Sequence, residues 1–288
     1  MAEPDEVMRR VSGDLREETK VDVRVIRLSS ERLGEAADLL ARCFHTNPNF
    51  VDLFPEEGAR SHTLPRMFAA GLRDALRFGH VYAATRQAGN SIGDELAGVA
   101  VWLPSGAFPL SATRQLRALP GMGSVLAAAP HSVRRLLRYT AGIARLHPAQ
   151  PYWYLEAVGV DSVVRGLGVG TRLLEPVLAV ADETGQRRYL ETMTERNVGW
   201  YRNLGFEVRE AGVRFVPGGQ PNSTMIRYPL RDRAGRDRES RGSGRAREEK
   251  RGEPRVAHDD RYPAAHGSLP LDPLTRCVPQ GTQKKPAG

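Results

Sequence analysis

Three glycines stand at alternate positions, Gly166, Gly168 and Gly170, in the segment VRGLGVGTRLLEPVLAVADETG (164–185). Glycine allows positive φ, and it lets an external group approach the main chain without a Cβ in the way. The unpaired N–H groups at a helix start, aided by the helix dipole, bind anions. Arg165 adds a cation that can contact a phosphate at two points. This spacing predicts a diphosphate cradle, and the alternative is a tight turn whose glycines serve packing alone.

Two other nucleotide-binding loops do not account for this segment. A P-loop ends in Gly-Lys-Ser/Thr, whereas this loop ends in Gly170-Thr171-Arg172. A dinucleotide-binding fingerprint has the spacing G-x-G-x-x-G near the start of a βαβ unit. The spacing here is G-x-G-x-G, late in the chain and after a predicted hairpin.

The elements around the glycines follow from the side-chain pattern. YWYLEAVGV (152–160) is rich in aromatic and β-branched residues, which favours a strand. Apolar residues recur at i, i+3, i+4 and i+7 from Leu174, which predicts a helix after the glycines. We expect Pro176 to kink this helix without ending it. RRYLET (187–192) predicts a short strand, and ERNVGWYRNLG (195–205) predicts a helix that ends at a glycine.

The rest of the domain is predicted to be mixed α/β. VDVRVIRL (21–28) alternates apolar and polar side chains, as a half-buried strand does. Residues 105–150 are dominated by Gly, Ala, Leu, Arg and Pro, which indicates a helical insertion between two strands. The other predicted elements are a helix reaching Phe44, a helical region over 58–78, a hairpin of strands 80–86 and 95–104, helices around 111–128 and 131–146, and closing strands from Phe206 and over 223–230.

Charge is distributed unevenly along the 288 residues. From Arg231 onward there are 14 Lys and Arg against 9 Asp and Glu, so this segment contributes +5 of the formal net charge of +8. It has few large apolar residues and no periodicity, and we therefore expect 231–288 to be a disordered Arg-rich tail. Contact of this tail with RNA, DNA or anionic lipid is the alternative. Residues 1–20 are predicted to be a flexible leader, which leaves 21–230 as the folded domain.

Cysteine usage and hydropathy indicate the compartment. Cys43 and Cys277 form no disulfide framework, which fits a reducing environment. The N-terminal MAEPDEVMRR lacks the apolar core of a signal peptide, and no run approaches the ~20 apolar residues of a membrane span. The seven histidines show no ligand spacing. We expect a soluble cytoplasmic protein without a metal or a membrane partner.

The glycine loop and a downstream segment together resemble one enzyme superfamily. Arg165-Gly166-x-Gly168-x-Gly170 after a strand is similar to the Gln/Arg-x-x-Gly-x-Gly/Ala pyrophosphate loop of GNAT-type N-acetyltransferases, which use acetyl-CoA. NVGWYRNLGF (197–206) resembles their Asn…Tyr-x-x-x-Gly-Phe signature. Residues 151–208 look closest to the puromycin N-acetyltransferase branch, through the WYL-x-x-VGV strand, Leu-x-Pro in the helix and the Leu-Glu-Thr strand.

The resemblance implies a fold and a cofactor site. The fold is a mixed, mostly antiparallel sheet with a splayed central strand pair, helices on both faces and a helical insertion. The strand before the loop bulges and binds pantetheine as an added strand would, and the Val158 N–H is the implied oxyanion donor. The residues implied to contact acetyl-CoA are Ala157, Val158, Val160, Arg165, Gly166, Leu167, Gly168, Val169, Gly170, Thr171 and Asn197.

The implied reaction moves an acetyl group from acetyl-CoA to a primary amine of a small molecule by direct attack in a ternary complex. Tyr201 matches the general acid that protonates the leaving thiolate, and an ordinary amphipathic-helix residue is the alternative. Asn197 would orient the cofactor, or it is an ordinary helix cap. Glu156 and Glu191, on neighbouring strands, are the candidate bases, although each has a structural role as its alternative. A bulge can reverse strand parity, so the face that Glu156 takes is open.

Other functions stay open at this point. A protein lysine or N-terminal acetyltransferase is an alternative of the same class, and a non-catalytic acyl-CoA-binding regulatory module is one of another class. Tyr201 together with the full Arg165–Gly170 loop favours catalysis. The acceptor site is expected from the N-terminal helices and the 105–150 insertion. Nucleic acid is expected as a partner only through the tail, and nothing indicates an oligomeric state.

Overall fold

The computed structural model describes residues 23–87 and 94–230. The predicted leader 1–20 and tail 231–288 lie outside the described residues, as does Cys277. None of the helices within these two ranges is long and apolar enough to cross a bilayer.

The described chain has seven strands and seven α-helices, with the insertion between the third and fourth strands. The strands are β1 Val23–Arg27, β2 Val81–Gln87, β3 Asp94–Leu103, β4 Tyr152–Val160, β5 Arg187–Thr192, β6 Glu207–Arg214 and β7 Pro221–Arg227. The helices are α1 Leu33–Phe44, α2 Pro48–Leu53, α3 Glu57–Ala75, α4 Ala112–Ala128, α5 Val133–Leu146, α6 Val169–Glu183 and α7 Glu195–Asn203.

Most of these elements agree with the sequence pattern. Strands β4 and β5 have the predicted bounds, the β2–β3 hairpin is antiparallel, and α6 continues through Pro176. The helical region predicted over 58–78 is confirmed as α3 with a 3-10 turn over Leu76–Phe78, and a separate helix that was not predicted, α2, precedes it. Pro48 at the first turn of α2 fits a helix start, and Pro55 restricts the backbone of Phe54 so that α2 cannot run on into α3.

One sheet organises the domain, with the strand order β1-β2-β3-β4-β5-β7-β6. All neighbours are antiparallel except β4 and β5, which are parallel. The β4–β5 ladder covers only Tyr152–Tyr154 against Arg187–Tyr189, and beyond Tyr154 the two strands separate. This confirms the splayed central pair, and it leaves one edge of β4 from Leu155 onward without a strand partner.

Helices cover both faces of the sheet, as predicted. On one face, α6 and α7 bury Leu173, Leu174 and Val198 against Trp102 and Trp153 of the sheet. On the other face, α1 and α3 bury their apolar residues against Tyr154, Tyr189 and the β2–β3 hairpin.

The insertion packs beyond the second face. Val125 of α4 and Leu136 of α5 join a separate apolar cluster with Leu64 of α3. Helix α5 also lies directly on the β6–β7 connection, because a Cβ added to Gly142 would fall 1.8 Å from the carbonyl oxygen of Phe215. The insertion is therefore fixed both to α3 and to the far end of the sheet.

Candidate functional site

The three glycines of the loop have two different structural roles. Gly166 and Gly168 have φ of +85° and +76°, and a Cβ at either would meet nothing within 4 Å. Their backbone conformation favours glycine, whereas packing does not require it. At Gly170 the reverse holds, since a Cβ there would lie 3.0 Å from Cζ2 of Trp200. The packing role therefore applies only to the third glycine.

The loop presents the start of α6 to solvent. Gly168 is the N-cap residue, and no side chain caps the helix. The first amides of a helix have no intrahelical acceptor, and the space beside Gly166 and Gly168 is empty to 4 Å from the position of a Cβ. Arg165 is half-buried beside them, and Leu167 has 53% of its surface exposed. An open, uncapped helix start beside a guanidinium suits a diphosphate.

The separated part of β4 offers backbone groups next to this loop. Asp161 donates its N–H to the Ala97 carbonyl of β3 at 2.8 Å. Hydrogen-bonded and non-hydrogen-bonded positions alternate along an antiparallel pair, so the N–H groups of Val160 and Val158 point away from β3, into the splay. The same alternation directs the backbone of Ala157 towards β3. The predicted backbone contacts of Val158 and Val160 with the cofactor agree with this direction, and that of Ala157 stays a prediction.

Asn197, in the first turn of α7, carries an unsatisfied polar atom. The hydroxyl of Thr194 accepts from the Asn197 N–H at 3.2 Å, so Thr194 is the helix cap and Asn197 is not. The side-chain Oδ1 of Asn197 is buried and has no hydrogen-bond partner within the described residues. A buried acceptor without a donor costs free energy unless a ligand or water supplies one.

These features fit acetyl-CoA. The helix start and Arg165 would hold the pyrophosphate, and the free edge of β4 would pair with the pantetheine arm. The orphaned Asn197 oxygen would accept from one of the amides of that arm. Within residues 23–87 and 94–230, no group of His, Cys, Asp or Glu side chains is arranged to hold a metal ion.

Glu156 occupies a β-bulge in β4. Trp102 of β3 pairs with Leu155 and Val101 pairs with Ala157, so Glu156 is the extra residue between them. Before the bulge, Tyr154 packs on the α1–α3 face, and after it Ala157 packs on that same face while Val158 packs on the α6 face. The bulge therefore reverses the parity of the strand.

The Glu156 residue keeps exposed surface, but its carboxyl lies against α3 and is buried by the surrounding protein. Its Oε1 is 3.9 Å from the position that a Cβ would take on Gly71 of α3. The surrounding protein and the Asp74 carboxylate raise the pKa of Glu156 to about 7, with a further upward effect from Glu191 and a downward one from Arg114. A carboxyl with a pKa near neutrality is well suited to accept a proton.

Glu191, the other candidate base, takes part in a buried aromatic cluster. Its Oε1 is 3.1 Å from Nε2 of His147, and both side chains are almost fully buried. The His147 Nδ1 is 2.6 Å from the Tyr152 hydroxyl, and its ring stacks on Phe108. Burial, and then the charge of Glu191, raise the pKa of Tyr152 to about 12. These close neighbours hold Glu191 in place. A structural role therefore suits Glu191 better than it suits Glu156.

Tyr201 lies on the opposite face of the sheet from these carboxyls. It is 6% exposed, and its ring packs against Trp200 and Phe206 in the apolar layer that also contacts Val158. Burial raises its pKa above the ordinary tyrosine value, so the phenol is protonated at neutral pH. The acid and base candidates therefore reach the splayed strands from the two different faces.

Three residues near the two glutamates had no signal in the sequence. Asp74, Arg114 and His147 come from α3, α4 and the α5–β4 connection, far apart along the chain. None of them belongs to a motif, and each type is common on protein surfaces. Only the fold brings them next to β4 and β5.

The glycine loop, the splay and α7 also match known proteins. Residues 123–206 match the acetyltransferase (GNAT) family. The solved structure of histone acetyltransferase HPA2 and related acetyltransferase from Corynebacterium glutamicum superposes with a TM-score of 0.52 at 24% identity, covering 72% of this chain and 97% of that one. The described fold is accordingly a GNAT acetyltransferase fold.

Two curated relatives are similar over shorter segments. The N-alpha-acetyltransferase RimI of Mycobacterium tuberculosis is 39% identical over 70 residues, which are 23% of this chain and 43% of the relative. An uncharacterized N-acetyltransferase of Schizosaccharomyces pombe is 35% identical over 79 residues, 27% of this chain and 32% of the relative. The chain thus spans less than half the length of these relatives.

Proposed function

We propose that this chain, with its GNAT fold and its family match over residues 123–206, transfers an acetyl group from acetyl-CoA to a primary amine of a small molecule. The observation that carries the proposal is the bulge at Glu156. It places a carboxyl with a pKa of about 7 beside a strand edge whose N–H groups are free.

Acetyl-CoA supplies the activated acetyl thioester, and the chain supplies its binding and orientation. The uncapped start of α6 and Arg165 hold the pyrophosphate, and the edge of β4 aligns the thioester arm. The Val158 N–H donates to the thioester carbonyl oxygen, where negative charge develops during attack. A fixed backbone dipole needs no reorganisation for this task, so it stabilises that charge efficiently.

Glu156 removes the proton that the attacking amine must lose. An alkyl ammonium is not nucleophilic, and a carboxylate with a pKa near 7 accepts its proton directly or through a water. Tyr201 remains protonated and donates to the departing CoA sulfur. Both groups act on one ternary complex, so no covalent acetyl-enzyme is required.

The acceptor is proposed to be small because helices border the candidate base. Glu156 lies against α3, and the insertion helices α4 and α5 pack beyond it on the same face, which limits the space for an acceptor. Residues 151–208 support the puromycin N-acetyltransferase branch as the finer assignment. The RimI likeness favours the alternative of a protein N-terminal acceptor, because that relative is named an N-alpha-acetyltransferase.

The first experiment measures CoA release from acetyl-CoA across a panel of small amines and short peptides, for the wild type and Tyr201→Phe. Turnover on a small amine that falls sharply in the variant supports transfer with Tyr201 as the acid. Turnover on peptides alone moves the proposal to a protein acceptor. Binding of acetyl-CoA without turnover on any acceptor overturns catalysis in favour of an acyl-CoA-binding regulatory module.

A further inference from the structure

An ion pair between Asp74 and Arg114 joins the insertion to the helix that borders Glu156. Arg114, on α4, places its Nε 3.1 Å from both carboxylate oxygens of Asp74, on α3, and its Nη2 makes a further contact. Arg114 also donates to the Ala107 carbonyl and lies 4.9 Å above the Phe78 ring. The two side chains are 12% and 17% exposed, so solvent screens this pair less than a surface pair.

The geometry of α3 turns this pair towards Glu156. Gly71 precedes Asp74 by three residues, and residues three apart lie on the same side of a helix. A Cβ on Gly71 would be 3.9 Å from Oε1 of Glu156, an ordinary van der Waals distance, so this side of α3 lies directly against the carboxyl. Both charges of the pair act on Glu156, and Asp74 has the larger effect.

We propose that Asp74 and Arg114 form a positioning pair that fixes the insertion beside Glu156 and sets the balance of charge in which this carboxyl accepts a proton. The proposal rests on the proposed function of Glu156 as the base. It assigns Asp74 and Arg114 no contact with the substrate. It gives the insertion a part in proton transfer in addition to its expected part in the acceptor site.

The other charged groups that face Glu156 stay constant when the pair is changed. They are Glu191 on β5 and the ionisable phenol of Tyr154 on β4 itself. Asp74→Asn removes a negative charge and leaves the Arg114 cation unpaired, and both effects lower the pKa of Glu156. Arg114→Gln leaves Asp74 uncompensated, which raises it. Opposite shifts from the two ends of one ion pair are the signature of a charge effect, since loss of structure alone would not give them.

The test is the pH profile of kcat/KM for the wild type, Asp74→Asn, Arg114→Gln and Arg114→Lys on the best amine from the panel. The acid limb of the wild type should be centred near pH 7, where Glu156 loses its proton. We expect it to move down in Asp74→Asn and up in Arg114→Gln, each by roughly 0.5–1 pH unit. Arg114→Lys keeps the charge and should return the limb close to the wild-type position. Arg86→Gln, which breaks an exposed pair with Glu95 between β2 and β3, is the matched control and should not move it.

A second measurement does not depend on turnover. The Glu156 carboxyl is titrated by NMR in protein labelled with ¹³C at the glutamate carboxyl, and its signal is assigned by its loss in Glu156→Gln. Opposite shifts of this titration in the two variants support the pair even if no amine is acetylated, in which case only the proposed function fails. Equal loss of activity at every pH with an unmoved titration overturns the proposal and leaves the pair a structural contact. Shifts in the same direction overturn it too.

Discussion

The proposed cofactor side and the proposed acceptor side of this molecule are built in different ways. The cofactor side comes from one continuous segment, in which β4, the glycine loop, α6, β5 and α7 follow each other within 152–203. On the acceptor side, the residues around the base come from α3, α4, the α5–β4 connection, β4 and β5. The first depends on backbone groups, and the second depends on side-chain charges.

Because of this difference, we expect the two sides to respond differently to amino-acid substitution. Backbone amides persist through most substitutions, so the cofactor side is sensitive mainly where the main chain must adopt a special conformation. On the acceptor side each charge is held by a partner from another element, so a single substitution changes both stability and ionisation. The following experiments test this contrast, from the largest expected effect to the smallest.

Replacement of Glu156 by Gln should cause the largest change, because it removes the proton acceptor and keeps the shape. We expect kcat/KM at pH 8 to fall about 10²–10⁴-fold, the usual contribution of a general base, with acetyl-CoA affinity unchanged. Steady-state kinetics and calorimetric titration measure the two quantities. Loss of affinity equal to the loss of rate would show that the two sides are not separable.

The same variant should be more stable than the wild type at high pH. The folded-state pKa of Glu156, about 7, is above the ordinary value of 4.5, so its stabilising effect is present below pH 4.5 and is lost as the pH rises through 7. Glu156→Gln does not ionise and escapes this loss. Its Tm should therefore exceed that of the wild type by more at pH 8 than at pH 4.5, in thermal melts at both values. An equal difference at both pH values would contradict the raised pKa.

Glu191→Ala should act mainly on stability. It leaves the buried His147 without its carboxylate neighbour, and a buried polar group left unsatisfied costs about 1–3 kcal/mol. The free energy of unfolding from urea denaturation measures this cost, with Glu95→Ala in the exposed Arg86 pair as the control, for which less than about 1 kcal/mol is expected. If Glu191→Ala kept full stability and lost the acid limb of the pH profile, Glu191 would be the base.

Gly168→Asp tests the cofactor side by itself. A carboxylate at the start of α6 would repel the pyrophosphate, and we expect acetyl-CoA affinity to fall about 100-fold, the loss of two hydrogen bonds of roughly 1.5 kcal/mol each. Gly185→Asp is the matched control, because Gly185 has a φ of +65° and lies just beyond the other end of the same helix. It should lose stability while keeping its affinity. If the two variants bound acetyl-CoA with equal affinity, the glycine loop would be a turn without a role in cofactor binding.

Local pattern was enough to predict most of the fold and one side of the site. The aromatic and β-branched content of 152–160 and the helical spacing from Leu174 predict β4 and α6, since each depends on side chains that are neighbours in sequence. The splay and helices on both faces followed from the resemblance of the Gly166–Gly170 loop. The packing role of Gly170 did not follow from the resemblance, because the Trp200 ring that packs against it lies 30 residues further along the chain.

Charges brought together by tertiary packing could not be predicted in this way. Nothing local to Asp74 or Arg114 distinguishes them from solvated surface residues, and the two are 40 residues apart. The position of the bulge was also open, because Glu156 is in a strand whose composition is uniform on either side. The proposal of Glu156 over Glu191 as the base depends on the neighbours of each, and His147 was the informative one.

The bulge at Glu156 also divides β4 into two half-strands that are out of phase with each other. Tyr152 and Tyr154 share a face in the first half, and Ala157 and Gly159 continue that face in the second, so the odd and even positions exchange roles at residue 156. A deletion of one residue there would restore a single phase. Deleting Glu156 would leave the second half on its present faces, because Ala157 would then follow Leu155 directly and keep its pairing with Val101. The bulge is therefore an insertion into an otherwise regular strand, and what it adds is the side chain of residue 156.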